Sequence, residues 1–232
     1  MMKNKIVFTY RLIMLVYYLL ALLIAVKNVD HLERALIYAL ILIVLFGITI
    51  HIYILNIPKL LLSNKYIEKN LSTLKEAIEK IHYTLVHDNL IRIYIFVLEV
   101  SNHKEEYQNF IEQNSEMIFN EKHSNYWYTI KLQYYFNLNK KDEYLKLYNP
   151  QLDNEIFKIM YLILNEKYEE ALELSRVDDY PKNTGDIMYL YYRIICLEHL
   201  EKENELNDCV NEMIELNDQI HYVKEIKDKY KK

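Results

Sequence analysis

The sequence predicts an all-α chain in which a two-helix transmembrane hairpin is followed by an array of helical hairpins. Three observations carry this reading. The 232 residues include only two glycines and three prolines, the residues that punctuate turns and sheet corners. Two long segments near the N-terminus are nearly free of charge. Beyond them, apolar residues recur at helical spacing between short polar clusters that resemble one another.

The first span is expected at about 6–26, IVFTYRLIMLVYYLLALLIAV, uncharged from Leu12 onward. Arg11 sits just inside its start, where a long stem can carry the guanidinium back to the headgroups. A cleaved signal peptide is the competing reading. The apolar run is long for one, however, and the exit Ala25-Val26-Lys27-Asn28 has no A-x-A-like site. The second span is expected at about 35–55, ALIYALILIVLFGITIHIYIL, which contains no Asp, Glu, Lys or Arg. As a helix it covers roughly 31 Å, close to the hydrocarbon thickness of a bilayer. All its backbone polar groups bond internally, as lipid requires. A fully buried central helix of a soluble protein is the alternative, and the neighbouring first span argues against it.

The connector KNVDHLER, Lys27–Arg34, makes the spans antiparallel. Lys3, Lys5 and Arg11 flank the first span, and Lys59, Lys65, Lys69 and Lys75 follow the second. Lys27 and Arg34 of the connector are offset by Asp30 and Glu33. The bias of Lys and Arg places both termini on the cytoplasmic side, in an integral membrane protein expected in a bacterial cell membrane. His51 is the one ionisable group within the second span and reads as interfacial. Only Gly47 hints at close helix approach.

Residues 1–57 carry five Lys/Arg and two Asp/Glu, a charge of +3. The total of −5 leaves −8 for the remainder. Such an acidic part suits no nucleic-acid partner, because duplex affinity comes largely from neutralised phosphates. Pro58 is expected to end the second span, and 58–70 reads as a juxtamembrane linker. Residues 71–232 read as a cytoplasmic α-helical repeat domain. Its first helix carries Leu71, Leu74, Ile78, Ile81 and Leu85 at steps of three or four, with Ser72 and Thr73 ahead of Glu76 in a capping spacing. Polar clusters follow at 101–106, 138–143, 164–170 and 200–205. Anchored on Lys104, Lys141, Lys167 and Lys202, they lie 37, 26 and 35 residues apart. The short step implies a truncated unit that ends at Pro150.

The segment Tyr161–Arg176, YLILNEKYEEALELSR, resembles a tetratricopeptide repeat, with Tyr168, Ala171, Leu172 and Leu174 on the expected positions. The resemblance covers roughly residues 88–218 and is degenerate, because most units lack the small residue of the first helix and the first two lack the alanine. It implies stacked helix pairs with a concave surface lined by first helices. An irregular helical bundle is the alternative. Tyr126-Trp127-Tyr128, Tyr134-Tyr135 and Tyr189–Tyr192 make these helices Tyr-rich. On the last of them, Ile187, Leu190, Tyr191, Ile194 and Leu197 form one stripe, expected in the core. Tyr189, Tyr192, Arg193 and Cys196 form another, and Tyr189, Tyr192 and Arg193 are the candidate partner-binding residues. Packing on the adjacent helix pair is the other role open to them. The final stretch HYVKEIKDKYKK reads as an amphipathic helix covering the open edge of the stack.

No phosphate-cradling glycine motif, nucleophile elbow, HExxH or EF-hand pattern occurs. No catalytic residue, metal ligand or cofactor is expected. Cys196 and Cys209, 13 residues apart, read as separate reduced thiols. The expectation is a membrane-anchored scaffold with a protein or peptide partner. The alternative is an accessory subunit of a membrane complex, such as an exporter, that uses the spans as its interface. Protease added outside intact cells is expected to leave 58–232 uncut, which immunodetection of a C-terminal tag checks.

Overall fold

The computed structural model describes residues 4–60, 67–101, 103–120, 127–151, 154–176, 184–216 and 219–230. Thirteen α-helices and no strand occur among them, apart from one isolated bridge. Expectations that fall on Lys3, Lys65, Tyr126 and residues 61–66 of the 58–70 linker lie outside the described residues. The chain forms two compact units, Met1–Tyr94 and Ile95–Lys232, and the division falls inside one helix.

In the first unit, α1 (Lys5–Lys27) and α2 (Leu32–Leu60) form the expected hairpin, and both are long and apolar enough to cross a membrane. Only 11% and 6% of their apolar stretches are buried, so the described chain leaves most of their apolar surface uncovered. Asn4 caps α1. Its Oδ1 accepts from the backbone N–H of Ile6 (3.0 Å) and Val7 (3.3 Å), two of the donors a helix start leaves unpaired. The helices join through the Tyr17 and Thr49 hydroxyls, 2.6 Å apart, and through the edge of Tyr17 against Phe46. Tyr53 donates to the Ile6 carbonyl at 2.7 Å. A Cβ on Gly47 would meet nothing within 4 Å, so Gly47 serves no close approach here. Pro58 lies inside α2 rather than ending it. So near the helix end, it forfeits only the bond its missing N–H would make to the carbonyl four residues earlier.

The base of the hairpin does not stand alone. The third helix, α3 (Ile67–Lys80), packs on α1 and contributes Leu71, Leu74 and Ala77, followed by Ile81, to a core shared with Ile6, Ile50 and Ile57. Asn4 Nδ2 donates to the Thr73 carbonyl (2.8 Å) and to Glu76 Oε2 (3.1 Å). Ser72 and Thr73 are not caps: they sit inside α3 and donate their hydroxyls to the Lys69 carbonyl, the usual solution for an interior hydroxyl. Leu85, expected on the same buried stripe, begins the next helix and is 59% exposed. These contacts are why the first unit extends past the expected boundary near residue 57.

In the second unit the end of α4 (Thr84–Val100) leads to α5 (Lys104–Gln113) and the short α6 (Ser115–Ile118). Three helical hairpins follow: α7 (Tyr128–Asn137) with α8 (Lys141–Leu147), α9 (Glu155–Leu164) with α10 (Tyr168–Leu174), and α11 (Thr184–His199) with α12 (Glu203–Ile214). The chain then enters α13 (His221–Tyr230). The three hairpins share one turn. Asn139, Glu166 and Glu201 adopt positive φ of 52°, 60° and 55°. Each is followed by a lysine whose N–H reaches the carbonyl five residues back: Lys140 to Tyr135, Lys167 to Leu162, Lys202 to Leu197. The positive-φ residue itself bonds three residues back. This is the Schellman arrangement, which satisfies the last carbonyls of a helix. The equivalent lysine of the first hairpin is therefore Lys140, one residue before the expected Lys141. Aromatic contacts join the hairpins: Tyr148 after α8 stacks on Tyr161 of α9 at 4.3 Å, and Phe136 of α7 meets Tyr192 of α11 at 5.7 Å, linking the first hairpin to the third.

A left-handed backbone strains a side chain with a Cβ, and glycine removes that strain. Glu166→Gly and Glu201→Gly are each expected to stabilise the protein by about 1 kcal/mol. Denaturant unfolding monitored by circular dichroism checks both. Glu201→Val is expected to destabilise it.

Candidate functional site

The polar centre of the second unit is a carboxylate among tyrosines. Glu99 lies on the last turn of α4, inside the apolar run Ile95-Phe96-Val97-Leu98-Glu99-Val100, and is 7% exposed. Tyr222 of α13 donates its hydroxyl to Glu99 Oε1. Gln133 Nε2 of α7 donates to the same oxygen at 3.0 Å and reaches Asn137 Oδ1 at 3.3 Å. The buried hydroxyls of Tyr107 (α5) and Tyr192 (α11) complete the cluster without a hydrogen bond of proper geometry, although the amides of Asn137 and Gln133 lie near them. An antiparallel bridge between Ser101 and Ile220 runs beside the cluster. The two ends of the unit are thus tied together across 123 residues of sequence.

Burial raises the Glu99 carboxyl from the ordinary range to about 7, against the pull of Tyr222, Asn137, His221 and Gln133. Burial, with the carboxylate beside it, also pushes the Tyr222 and Tyr192 phenols well above their usual values. Near neutral pH the carboxyl is therefore poised between its protonated and ionised forms in an apolar setting. Nearer the surface, Glu225 of α13 is held low, first by its hydrogen bond to His221 and then by the one from Tyr191; the Tyr191 hydroxyl donates to Glu225 Oε1 at 2.8 Å. Tyr230 donates to Glu198 and Lys229 pairs with it. Together with buried Tyr222, Val223 and Ile226, these contacts seat α13 firmly against α11.

The three candidate partner-binding residues part company. Tyr192 is fully buried and offers no surface to a partner, while Tyr191 of the expected core stripe is only partly covered. The two tyrosines trade places at this turn: Tyr191 meets α13 through Tyr222 and Glu225, while the Tyr192 ring is buried against Phe136 of α7. Cys196, on the expected outer stripe, is buried too, and burial lifts its thiol to about 12. Arg193 reaches Glu205 Oε2 at 3.2 Å and the Leu172 carbonyl at 3.4 Å, so it joins α10, α11 and α12. Tyr189 lies nearer the surface and donates to Glu155 Oε2 on α9 at 3.3 Å. Glu99 and Tyr222 were not among the candidates. The readable signal was a single carboxylate within an apolar run.

Both cysteines are free. Among the described residues no group of three or more His, Cys, Asp or Glu is placed to hold a metal ion. In the first unit an open groove of about 400 Å³ between α1 and α2 is lined mainly by Leu20, Leu23, Tyr38 and Ile41, with Lys27 and Asn28 beside them. Comparison with family models, curated proteins and solved structures finds no match.

A carboxyl whose pKa is raised on folding stabilises the fold fully below its unfolded pKa, and that contribution is lost as pH rises through the folded value. For Glu99 the loss spans about pH 4.5 to 7 and amounts to about 3 kcal/mol at 1.36 kcal/mol per pH unit. Glu99→Gln is expected to flatten that slope and to raise stability at pH 8. Unfolding curves at pH 5, 6.5 and 8 check this. Tyr222→Phe is expected to cost about 1–3 kcal/mol at pH 5, by removing one donor from a buried oxygen.

Proposed function

We propose that this chain is a membrane-anchored protein-interaction module without catalysis of its own. The hairpin spans the bilayer with both termini cytoplasmic, and the helical domain recruits a protein or peptide partner to the membrane face. The observation that carries the reading is the exposed apolar surface of α1 and α2 joined in one chain to stacked helical hairpins. Tethering raises effective concentration near other membrane proteins, so a weak contact suffices.

The stacking supports a tetratricopeptide-like array in particular. The positive-φ residues of successive turns lie 27 and 35 residues apart. Three contacts between neighbouring first helices, Glu99 with Gln133, Glu155 with Tyr189 and Tyr191 with Glu225, each join residues 34 apart, the period of that repeat. The unit departs from an open solenoid, where each repeat touches only its neighbours, because Tyr222 closes on Glu99. The partner surface is accordingly placed on the outer part of α11 and α9 around Tyr189, not on Tyr192.

The second reading, an accessory subunit that docks through its spans, draws on the outward-facing Leu40, Ile43 and Leu36 of α2. A photo-crosslinking residue at Tyr189 or at Ile43, in native membranes, separates the two. The module reading expects a discrete protein adduct from position 189 and only lipid adducts from 43. Adducts from 43 alone would favour the subunit reading.

A further inference from the structure

The α3–α4 turn, residues 81–85, is placed by the hairpin at a depth where a soluble connection would not be expected. Asn4, the first residue of the hairpin base, grips α3 at Thr73 and Glu76. Farther along, the Tyr83 ring meets the edge of Phe46 at 5.9 Å and lies near Tyr10. The third helix therefore climbs beside the hairpin towards the connector end instead of leaving its base. A hydrocarbon layer of about 30 Å corresponds to about 20 helical residues. Counted from the connector ends of the helices at Lys27 and Leu32, the opposite boundary falls near Val7 in α1 and Ile52 in α2. Phe46 then lies about 9 Å inside that boundary, and Tyr83 shares its depth.

The chemistry of the turn agrees with that depth. Residues 81–87, IHYTLVH, contain no Asp, Glu, Lys or Arg. Leu85 is 59% exposed. The charges of α3 collect below the turn, where Glu76 pairs with Lys80 and lies near Arg11, a position from which a lysine stem can reach the headgroups. Part of the turn's backbone is paired inside the protein: Ile81 N–H bonds the Ala77 carbonyl, and Val86 and His87 N–H both bond the Tyr83 carbonyl. Such internal pairing is what lets irregular backbone sit at membrane depth.

We propose that the α3–α4 turn is a wedge buried in the cytoplasmic leaflet, with Tyr83 about 9 Å inside the hydrocarbon boundary and Leu85 facing lipid acyl chains. The inference rests on the membrane-spanning reading of α1 and α2. The wedge adds a third membrane contact to the hairpin and anchors the start of α4 at the bilayer.

Depth-dependent fluorescence quenching tests it on the full chain in lipid vesicles. A tryptophan at Leu85→Trp is read against the unaltered chain, whose one tryptophan, Trp127, is buried. Ile41→Trp in mid-α2 serves as the deep reference. Bromine midway along the acyl chains is expected to quench the Leu85→Trp emission about twofold, more than bromine near the chain ends, in keeping with a depth of about 9 Å inside the hydrocarbon boundary. Acrylamide in the water should quench it weakly. If Leu85→Trp lowers the yield of folded protein, Thr84→Trp, at the neighbouring exposed position, carries the same expectation. Strong acrylamide quenching of both variants without bromolipid quenching, while Ile41→Trp is quenched by bromolipid, would overturn the wedge alone. Loss of bromolipid quenching at Ile41→Trp as well would overturn the spanning reading with it.

Discussion

The constraint behind the first unit is the incompatibility of water with the outer surface of α1 and α2. Leu36, Ile37, Leu40 and Ile43 are each 59% exposed or more, and contiguous apolar surface of this extent is removed from water wherever a protein can arrange it. The remaining features of the unit follow from that. The N-terminal backbone donors of α1 are closed by Asn4, the two helices are joined by a hydroxyl pair and an aromatic edge, and the base is capped by an amphipathic helix rather than left as a bare end.

The second unit meets the opposite constraint. There the problem is not exposed apolar surface but polar groups carried into a packed interior. Glu99 is accommodated by accepting from Tyr222 and Gln133 and by a carboxyl whose proton is held to higher pH, since a bare buried charge would be far more costly. The same cluster joins α4, α7 and α13, so that one carboxyl coordinates the closure of the unit. The turns within the three hairpins use Asn and Glu at positive φ where glycine would be easier. That choice is stable only because the same set of backbone bonds recurs at each turn and packing holds the helices on either side.

Much of the fold was legible in the residues. The two long apolar helices, their short connector and the three later polar turns all follow from charge, periodicity and composition. What misled was local. Ser72 and Thr73 look like caps because their spacing to Glu76 is right, but α3 begins several residues earlier. Lys141 looks like the anchor of its turn, but the Schellman bond belongs to Lys140, and two adjacent lysines do not reveal which one follows the positive-φ residue. Tyr191 and Tyr192 are neighbours of the same type on one helix. Their assignment to inside or outside depended on how α7 and α13 pack against α11.

Periodicity reports which side of a helix is apolar, and the residues of this chain determined helix positions, the lipid-compatible surface and the repeat-like rhythm of the hairpins. It does not report which apolar side is covered by a segment more than a hundred residues away. The partnership of Glu99 with Tyr222, the burial of Tyr192, and the climb of α3 that brings Tyr83 to Phe46 were decided only by the tertiary structure. In each case the deciding partner is distant in sequence, and packing geometry sets the pairing where local propensity has no preference.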